Sequence, residues 1–165
     1  MTSRYVKPMF AILAVVALSL AFAARTSAAP AAGLNWEIHG IGSGSVSVLA
    51  GGTSSGAAMS QHIGNSTYSL TLSPAQGFSS NAAGGVCAIA TGSGGIQAAD
   101  GSTIAWATVG MLCNEAGPFS SLQYNGTYRI TGGTGRFVGV AGGGSLTATF
   151  DSPHFIKIDG TITGI

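Results

Sequence analysis

Charged side chains are scarce in this sequence: Asp, Glu, Lys and Arg make up 7% of its 165 residues. Only three of the six cations follow residue 29, where they face five anions, so that part of the chain carries a formal charge of −2. A protein that holds nucleic acid neutralises phosphates with a patch of Lys and Arg. No such patch is present, and we expect no nucleic-acid partner.

A long apolar run is also lacking, since a transmembrane helix needs about 20 residues. The run from Met9 to Ala24 is shorter than that; Arg4 and Lys7 precede it and small residues follow it. A basic start, an apolar centre and a small-residue end are typical of a secretory signal peptide. The alternative is an uncleaved anchor.

Two positions, after Ala23 and after Ala29, are candidates for the cleavage site of this signal. Both Ala21-Phe22-Ala23 and Ser27-Ala28-Ala29 satisfy the small-x-small rule. We favour the second, because Pro30 then begins a flexible mature terminus. We therefore expect residues 1–29 to be a signal peptide and residues 30–165 to form a single secreted or periplasmic domain, with no stable membrane insertion after processing.

Cysteine is limited to Cys87 and Cys113. In an exported protein an even pair indicates a disulfide rather than a metal or redox site. The two lie equally far from Asp100, and Asp100-Gly101 is a typical hairpin turn. Within one residue of register the cysteines face each other across an antiparallel ladder, at a distance that a disulfide can bridge.

No helical period is sustained after the signal, whereas alternation with period 2 is frequent. The 27 glycines all lie in this part of the chain. We predict an all-β fold, a single antiparallel eight-stranded, lipocalin-like β-barrel with one disulfide, and prefer it to a sandwich because closure leaves no free edge. The predicted strands lie near Trp36–Gly42, Ser45–Ala50, Thr67–Leu72, Val86–Ala98, Thr103–Cys113, Thr127–Thr131, Ser145–Phe150 and Ile156–Ile162.

The glycine-rich stretch Gly132-Gly133-Thr134-Gly135 has two interpretations, a phosphate loop or a turn between strands. A phosphate loop needs a Lys-Ser or Lys-Thr pair and then a helix. Here Arg136-Phe137 and further glycines follow. We predict a turn that needs positive φ, and a bulged or bent strand entry at Gly139–Gly144.

Gly132-Gly133-Thr134-Gly135-Arg136-Phe137, followed by small residues and a strand, resembles the G-G-T-G-basic-Phe motif of the allene oxide cyclase and dirigent barrel superfamily. The similarity is to small secreted bacterial members and covers about Tyr124 to Phe150; the hairpin around Asp100 also looks like that group. The resemblance implies an eight-stranded barrel with an apolar cavity, and a dimer or trimer. It implies a scaffold and not a reaction, because no catalytic position of the family can be placed on this chain.

Three patterns bear on chemistry. Gly52-Thr53-Ser54-Ser55-Gly56 matches the G-x-S-x-G nucleophile motif, but an all-β context favours a plain flexible loop. Glu37 and His39 share a strand face and are candidates for an acid–base pair or for metal ligands, with a solvated strand face as the alternative. His62 and His154 lie in predicted loops without metal-ligand spacing, so we expect no metal and no cofactor.

Aromatic residues are the candidates for ligand binding. They could line a pocket for a flat apolar molecule or fill the barrel as its core. These candidates are Trp36, Tyr68, Trp106, Tyr128 and Phe150.

The pattern as a whole favours a non-catalytic protein that binds a small apolar or aromatic molecule in the barrel. One alternative is a cofactor-free isomerase or cyclase of the allene oxide cyclase type. Another is a cell-envelope interaction module with a filled barrel, self-associated as a homo-oligomer or bound to a surface partner.

Overall fold

A computed structural model of the protein describes residues 33–82, 84–115 and 121–165. These residues form a closed barrel of eight antiparallel strands, as the sequence predicts. In chain order the strands are β1 Leu34–Ser47, β2 Gly51–Ser60, β3 Gly64–Ser80, β4 Val86–Ala98, β5 Thr103–Asn114, β6 Leu122–Gly133, β7 Ala141–Thr149 and β8 His154–Thr163. One short 3-10 helix, Gly135–Phe137, stands between β6 and β7.

The predicted signal peptide, residues 1–29, lies outside the described residues. Within the part of the chain that the structure describes, no helix is long and apolar enough to cross a membrane.

Each strand pairs with its neighbours in sequence, and β1 also pairs with β8, which closes the barrel. Ile38 lies opposite Ile158 in that closing ladder. Because β1 finds a partner on both sides, none of the eight strands is left as an edge.

Alternation along the strands divides the inside of the barrel from the outside. In β3, for example, Tyr68, Leu70 and Leu72 are buried while Thr67, Ser69 and Thr71 are not. Successive side chains of a strand point to opposite faces, so this period places the apolar set in the core. The largest fully buried side chains are Trp106, Tyr124, Phe137, Ile38, Leu70, Leu72, Ile96, Ile104, Leu112, Leu146, Ile158 and Ile162.

The predicted disulfide is present. Cys87 of β4 lies directly opposite Cys113 of β5, with a Cα–Cα distance of 4.1 Å. The turn between these strands is the predicted one: Gly101 has a φ of 84°, and the Asp100 carboxylate accepts a hydrogen bond from the Ser102 backbone N–H at 2.9 Å.

Two predictions about the first strands were wrong. Residues 34–47 form one continuous strand rather than two, and Gly52–Gly56, predicted as a loop, lies inside β2. The inward side chains of β2 are small, with Ser54 and Ala58 on either side of Gly56. This strand has no large apolar residue on its inner face, so the period that marks the other strands is missing from its sequence.

The motif Gly132–Phe137 connects two strands and is not a phosphate loop. Gly132 and Gly133 are the last residues of β6, and Gly135, with a φ of 59°, is the one that needs the left-handed region. Gly139 and Gly142 also have positive φ, at 84° and 153°, where the chain enters β7. A side chain at Gly135 would collide with the Ser102 hydroxyl, so both the conformation and the space require glycine here.

Candidate functional site

The end of the barrel where β6 finishes is closed by side chains. We call it the closed end. Phe137, Val140 and Ile63 belong to the connections between strands at this end, and their side chains are buried. Their burial removes one of the two routes into the barrel.

Arg136 links three of the connections between strands at this closed end. Its guanidinium lies 4.7 Å from the centre of the Phe137 ring, donates to the Ile63 carbonyl at 3.2 Å, and forms an ion pair with Asp100 at 3.1 Å. Three inter-strand connections thus meet on one side chain. The motif that carries the family resemblance acts in this structure as a plug.

The opposite end, where β3 finishes and β4 begins, is different, and we call it the mouth. Phe78 lies opposite Ala88, which is buried, and paired residues on neighbouring strands share a face. Phe78 therefore faces inward, yet 49% of it is exposed. Val86, two residues before Ala88 on the same face, is 37% exposed. These two inward-facing apolar side chains, exposed to water, mark the rim of this end of the barrel.

A bulge keeps Phe78 on the inner face. The register of β3 against β4 shifts between Pro74 and Phe78, where Gly77 has a φ of 116°. Three residues of β3 stand opposite the single residue Ile89, so two extra residues are inserted and the inward alternation is preserved.

Three buried polar side chains lie within the barrel near the mouth. We call Ser54, Tyr68 and His154 the buried polar trio; they come from β2, β3 and β8 and are 2%, 2% and 6% exposed. The Ser54 hydroxyl lies 3.0 Å from the Tyr68 hydroxyl and 2.9 Å from Nδ1 of His154. His154 also meets the ring of Phe150 edge-on, with centroids 5.3 Å apart.

Glycines in β1 make the trio possible. A Cβ at Gly40 would lie 2.9 Å from the ring of Tyr68, and one at Gly42 would lie 2.6 Å from its hydroxyl. Tyr68 therefore extends from β3 past β2 and lies against β1. Gly42 is also the residue opposite His154 in the closing ladder. The Tyr68 hydroxyl and the His154 ring therefore lie at the same level of the barrel.

The trio can share its protons in two ways. With the proton of neutral His154 on Nε2, Ser54 donates to Nδ1 and accepts from Tyr68; with the proton on Nδ1, His154 donates to Ser54, which donates to Tyr68. Either arrangement satisfies the Ser54 hydroxyl inside an apolar barrel. Among the described residues Nε2 of His154 has no hydrogen-bond partner.

Three of the predicted ligand-binding aromatics pack together in the buried core of the barrel. Trp36 and Trp106 each lie 6.4 Å from the ring of Tyr128, and the Trp36 indole N–H donates to the Tyr128 hydroxyl. Burial raises the pKa of Tyr128, and it raises the pKa of Tyr124 in the same core. The other two predicted aromatics, Tyr68 and Phe150, are buried in the same core, 2% and 9% exposed. Tyr68 is a member of the trio, and Phe150 contacts the His154 ring.

Glu37 and His39 lie on the outer wall. Their side chains are 2.9 Å apart, on one strand face as predicted, but they point to solvent and not into the barrel. Lys157 contacts Glu37 at 3.0 Å and Asp159 at 3.1 Å. The hydrogen bond from Lys157 lowers the pKa of Glu37 and raises that of Lys157. An exposed network of this kind is an ordinary solvated strand face.

His39 also borders a shallow outer groove of about 220 Å³ that includes Phe155 and Lys157. His62 lies in the turn between β2 and β3, where Nε2 is 3.0 Å from the Asn35 carbonyl oxygen. Across residues 33–82, 84–115 and 121–165, no group of three or more His, Cys, Asp or Glu is arranged to hold a metal ion.

Most of the mouth could not be identified from the sequence. His154, predicted in a loop, is the first residue of β8 and is buried. The sequence marks Ser54 only through the G-x-S-x-G pattern, whose interpretation as a loop is wrong. Phe78 and Val86 carry no signal, because their exposure on an inner face depends on the bulge and on the length of β3.

Comparisons with family models, with curated proteins and with solved structures found no match to this chain.

Proposed function

We propose that this protein binds a small, largely apolar molecule at the mouth of the barrel, and that the ligand's polar group reaches the buried polar trio. The observation that carries the proposal is the trio itself. Hydroxyl and imidazole groups buried among apolar side chains resemble a ligand site, in which a few polar groups orient an otherwise apolar molecule.

We propose that the protein is exported, and two features support this. A disulfide between Cys87 and Cys113 persists in an oxidising compartment, and the first 29 residues have the pattern of a signal peptide. We propose a secreted or periplasmic protein whose processed chain begins at Pro30.

We also propose distant membership of the allene oxide cyclase and dirigent superfamily. The motif Gly132–Phe137 and the closed eight-stranded barrel support it. Since no family model matches, the proposal rests on those two features. Nothing in the part of the chain that the structure describes supports a cyclase reaction, because Glu37 points away from the barrel interior.

The first experiment is native mass spectrometry of the exported, processed protein, followed by organic extraction of anything released. We expect a bound apolar molecule, or uptake of one from fatty-acid and phenol libraries. A bare mass that no library member changes would contradict the binding proposal.

A matched pair of variants locates the site. Phe78→Ala removes a ring that is 49% exposed on the inner face, and Phe155→Ala removes one that is 51% exposed on the outer wall. We expect the first to weaken ligand binding about tenfold, because the ring no longer covers apolar surface of the ligand, and the second to leave binding unchanged. Equal effects of the two variants would place the ligand elsewhere.

An interaction module is the second candidate. Outward-facing Ile89 and Met111 lie opposite each other on β4 and β5, next to Val109, and are 54%, 38% and 50% exposed. An apolar patch on the outer wall favours a protein partner or self-association. Sedimentation of Ile89→Ser against wild type tests this: a shift from oligomer to monomer supports the module, and an unchanged monomer opposes self-association.

A further inference from the structure

We propose that Ser54 is a nucleophile activated by His154, and that the protein hydrolyses small uncharged carboxylic esters with an apolar acyl group. This inference rests on the proposed function, because the ester must enter by the same mouth. It goes further by assigning a covalent reaction to the buried polar trio.

The distance between Ser54 and His154 is the first observation. The Ser54 hydroxyl is 2.9 Å from Nδ1, within the range in which a base takes a proton from a nucleophile. Its neighbour Ser55 is exposed on the outer face of the same strand. Two adjacent serines of one motif are thus separated by the barrel wall, and only one of them has a base.

The chemical step conserves atoms and protons. The Ser54 oxygen forms a bond to the ester carbonyl carbon, and its proton passes to Nδ1 of His154. The C–O bond to the alcohol then breaks and the alcohol leaves with that proton. Water attacks the acyl-serine by the same route, which releases the carboxylic acid and restores the Ser54 hydroxyl.

Charge on the carbonyl oxygen must be stabilised while the tetrahedral intermediate exists. The backbone N–H groups of β2 face β1 and β3 in two continuous ladders, and backbone groups engaged in those ladders are not free to form an oxyanion hole. The Tyr68 hydroxyl, 3.0 Å from the Ser54 oxygen, is the side-chain donor in position to do so. We assign it that role.

The charge at the mouth selects the substrate class. The charged residues beside the connections at this end are Glu115 and Asp151, both exposed and both acidic. Among the described residues, the cations lie elsewhere: Arg136 at the closed end, and Arg129 and Lys157 on the outer face of β6 and β8. An uncharged ester is therefore favoured over an anionic one, and the carboxylate product is repelled as it leaves.

Covalent labelling tests the nucleophile directly in the folded wild-type protein. Phenylmethylsulfonyl fluoride sulfonylates an activated serine and releases fluoride, and peptide mass mapping locates the adduct. We expect one adduct, on Ser54, which Ser54→Ala abolishes and Ser55→Ala retains. A protein without an adduct, or with one on a different residue, would overturn the proposal.

Hydrolysis of 4-nitrophenyl butyrate tests the partners. His154→Gln should lower kcat/KM by about 10²- to 10⁴-fold, as the loss of a general base does. Tyr68→Phe should lower kcat by about 10²- to 10³-fold with little change in KM, as the loss of an oxyanion donor does. Ser55→Ala should match wild type. Turnover that survives Ser54→Ala in a folded variant sinks the assignment.

The failure of this inference is distinguishable from the failure of the proposed function. Ligand binding to wild type and Ser54→Ala is followed by fluorescence of an apolar dye, with near-ultraviolet circular dichroism to confirm folding. Binding without adduct or turnover would leave a carrier and refute the esterase. A folded wild-type protein that neither binds the dye nor forms an adduct would refute the ligand site as well.

Discussion

Gly42 shows how a residue without a side chain positions one that has it. A Cβ at Gly42 would collide with the Ser55 carbonyl oxygen and would lie 2.6 Å from the Tyr68 hydroxyl. Substitution here acts on the trio and on the β1–β2 ladder together. The absence of a methyl group is therefore part of the site.

Gly42→Ala should destabilise the protein by about 1–3 kcal/mol through overpacking and displace the Tyr68 hydroxyl from Ser54. Gly132→Ala is the control, because no atom lies within 4 Å of its added Cβ and its φ is not positive. Urea denaturation of both variants measures the difference. Equal stability of the two would contradict the close approach at Gly42.

Buried tyrosines make the protein sensitive to alkali. Burial raises the pKa of Tyr124 and Tyr128 in the folded state, whereas unfolded tyrosine ionises near pH 10. The unfolded chain therefore loses protons first, and the contribution to stability is present below about pH 10 and is lost as the pH rises.

We expect the urea midpoint to fall above about pH 10, with a shallower fall in Tyr128→Phe than in wild type. The comparison of slopes is necessary because Lys157, whose pKa is also raised, loses stabilisation in the same direction. Identical slopes in the two proteins would show that Tyr128 ionises equally in both states.

At the scale of elements, the connection between β6 and β7 covers the closed end of the barrel. Phe137 is 2% exposed and fills the closed end, whereas the next residue, Val138, is 72% exposed. The 3-10 turn therefore directs the Phe137 side chain into the barrel, and the Val138 side chain that follows it points to solvent. Gly135 and Gly139, with φ of 59° and 84°, allow the main chain to turn on both sides of Phe137 and Val138.

Phe137→Ala should cost about 3–5 kcal/mol, because it leaves a cavity in the core. Val138→Ala should change stability by less than about 0.5 kcal/mol. Thermal unfolding of the pair checks the prediction. A mild effect at Phe137 would mean that the closed end is not part of the cooperative core.

Elements whose inner face is large and apolar were predictable from sequence. Tyr68, Leu70 and Leu72 marked β3, and the hairpin at Asp100 set the register of the cysteines. Gly52–Gly56 could not be recognised as a strand, because its inner face is filled by side chains from elsewhere. The same holds for the site: Tyr68 and Phe150 follow the pattern, but Ser54 meets His154 only when β8 closes on β1.

At the scale of the whole molecule, one covalent link supplements a core that contains many small residues. Cys87 and Cys113 join β4 to β5 near the mouth, 26 residues apart. In the chain-entropy model a loop of this size stabilises the fold by about 3–4 kcal/mol.

Reduction should therefore lower the free energy of unfolding by about 3–4 kcal/mol, and Cys87→Ala combined with Cys113→Ala should match the reduced protein. Denaturation with and without reductant measures the effect, and thiol counting in the purified, unreduced protein checks the bridge. Two free thiols before reduction would contradict it.

The pairing of β1 with β8 ties the order of synthesis to the order of assembly. The first strand to emerge from a ribosome waits for the last, and until residue 163 is available both β1 and β7 present unpaired edges. Barrel closure joins residues more than a hundred positions apart, which is slow compared with local folding. A nascent chain of this kind stays open until its last strand is synthesised, and it acquires its barrel and the buried polar trio in the same final step.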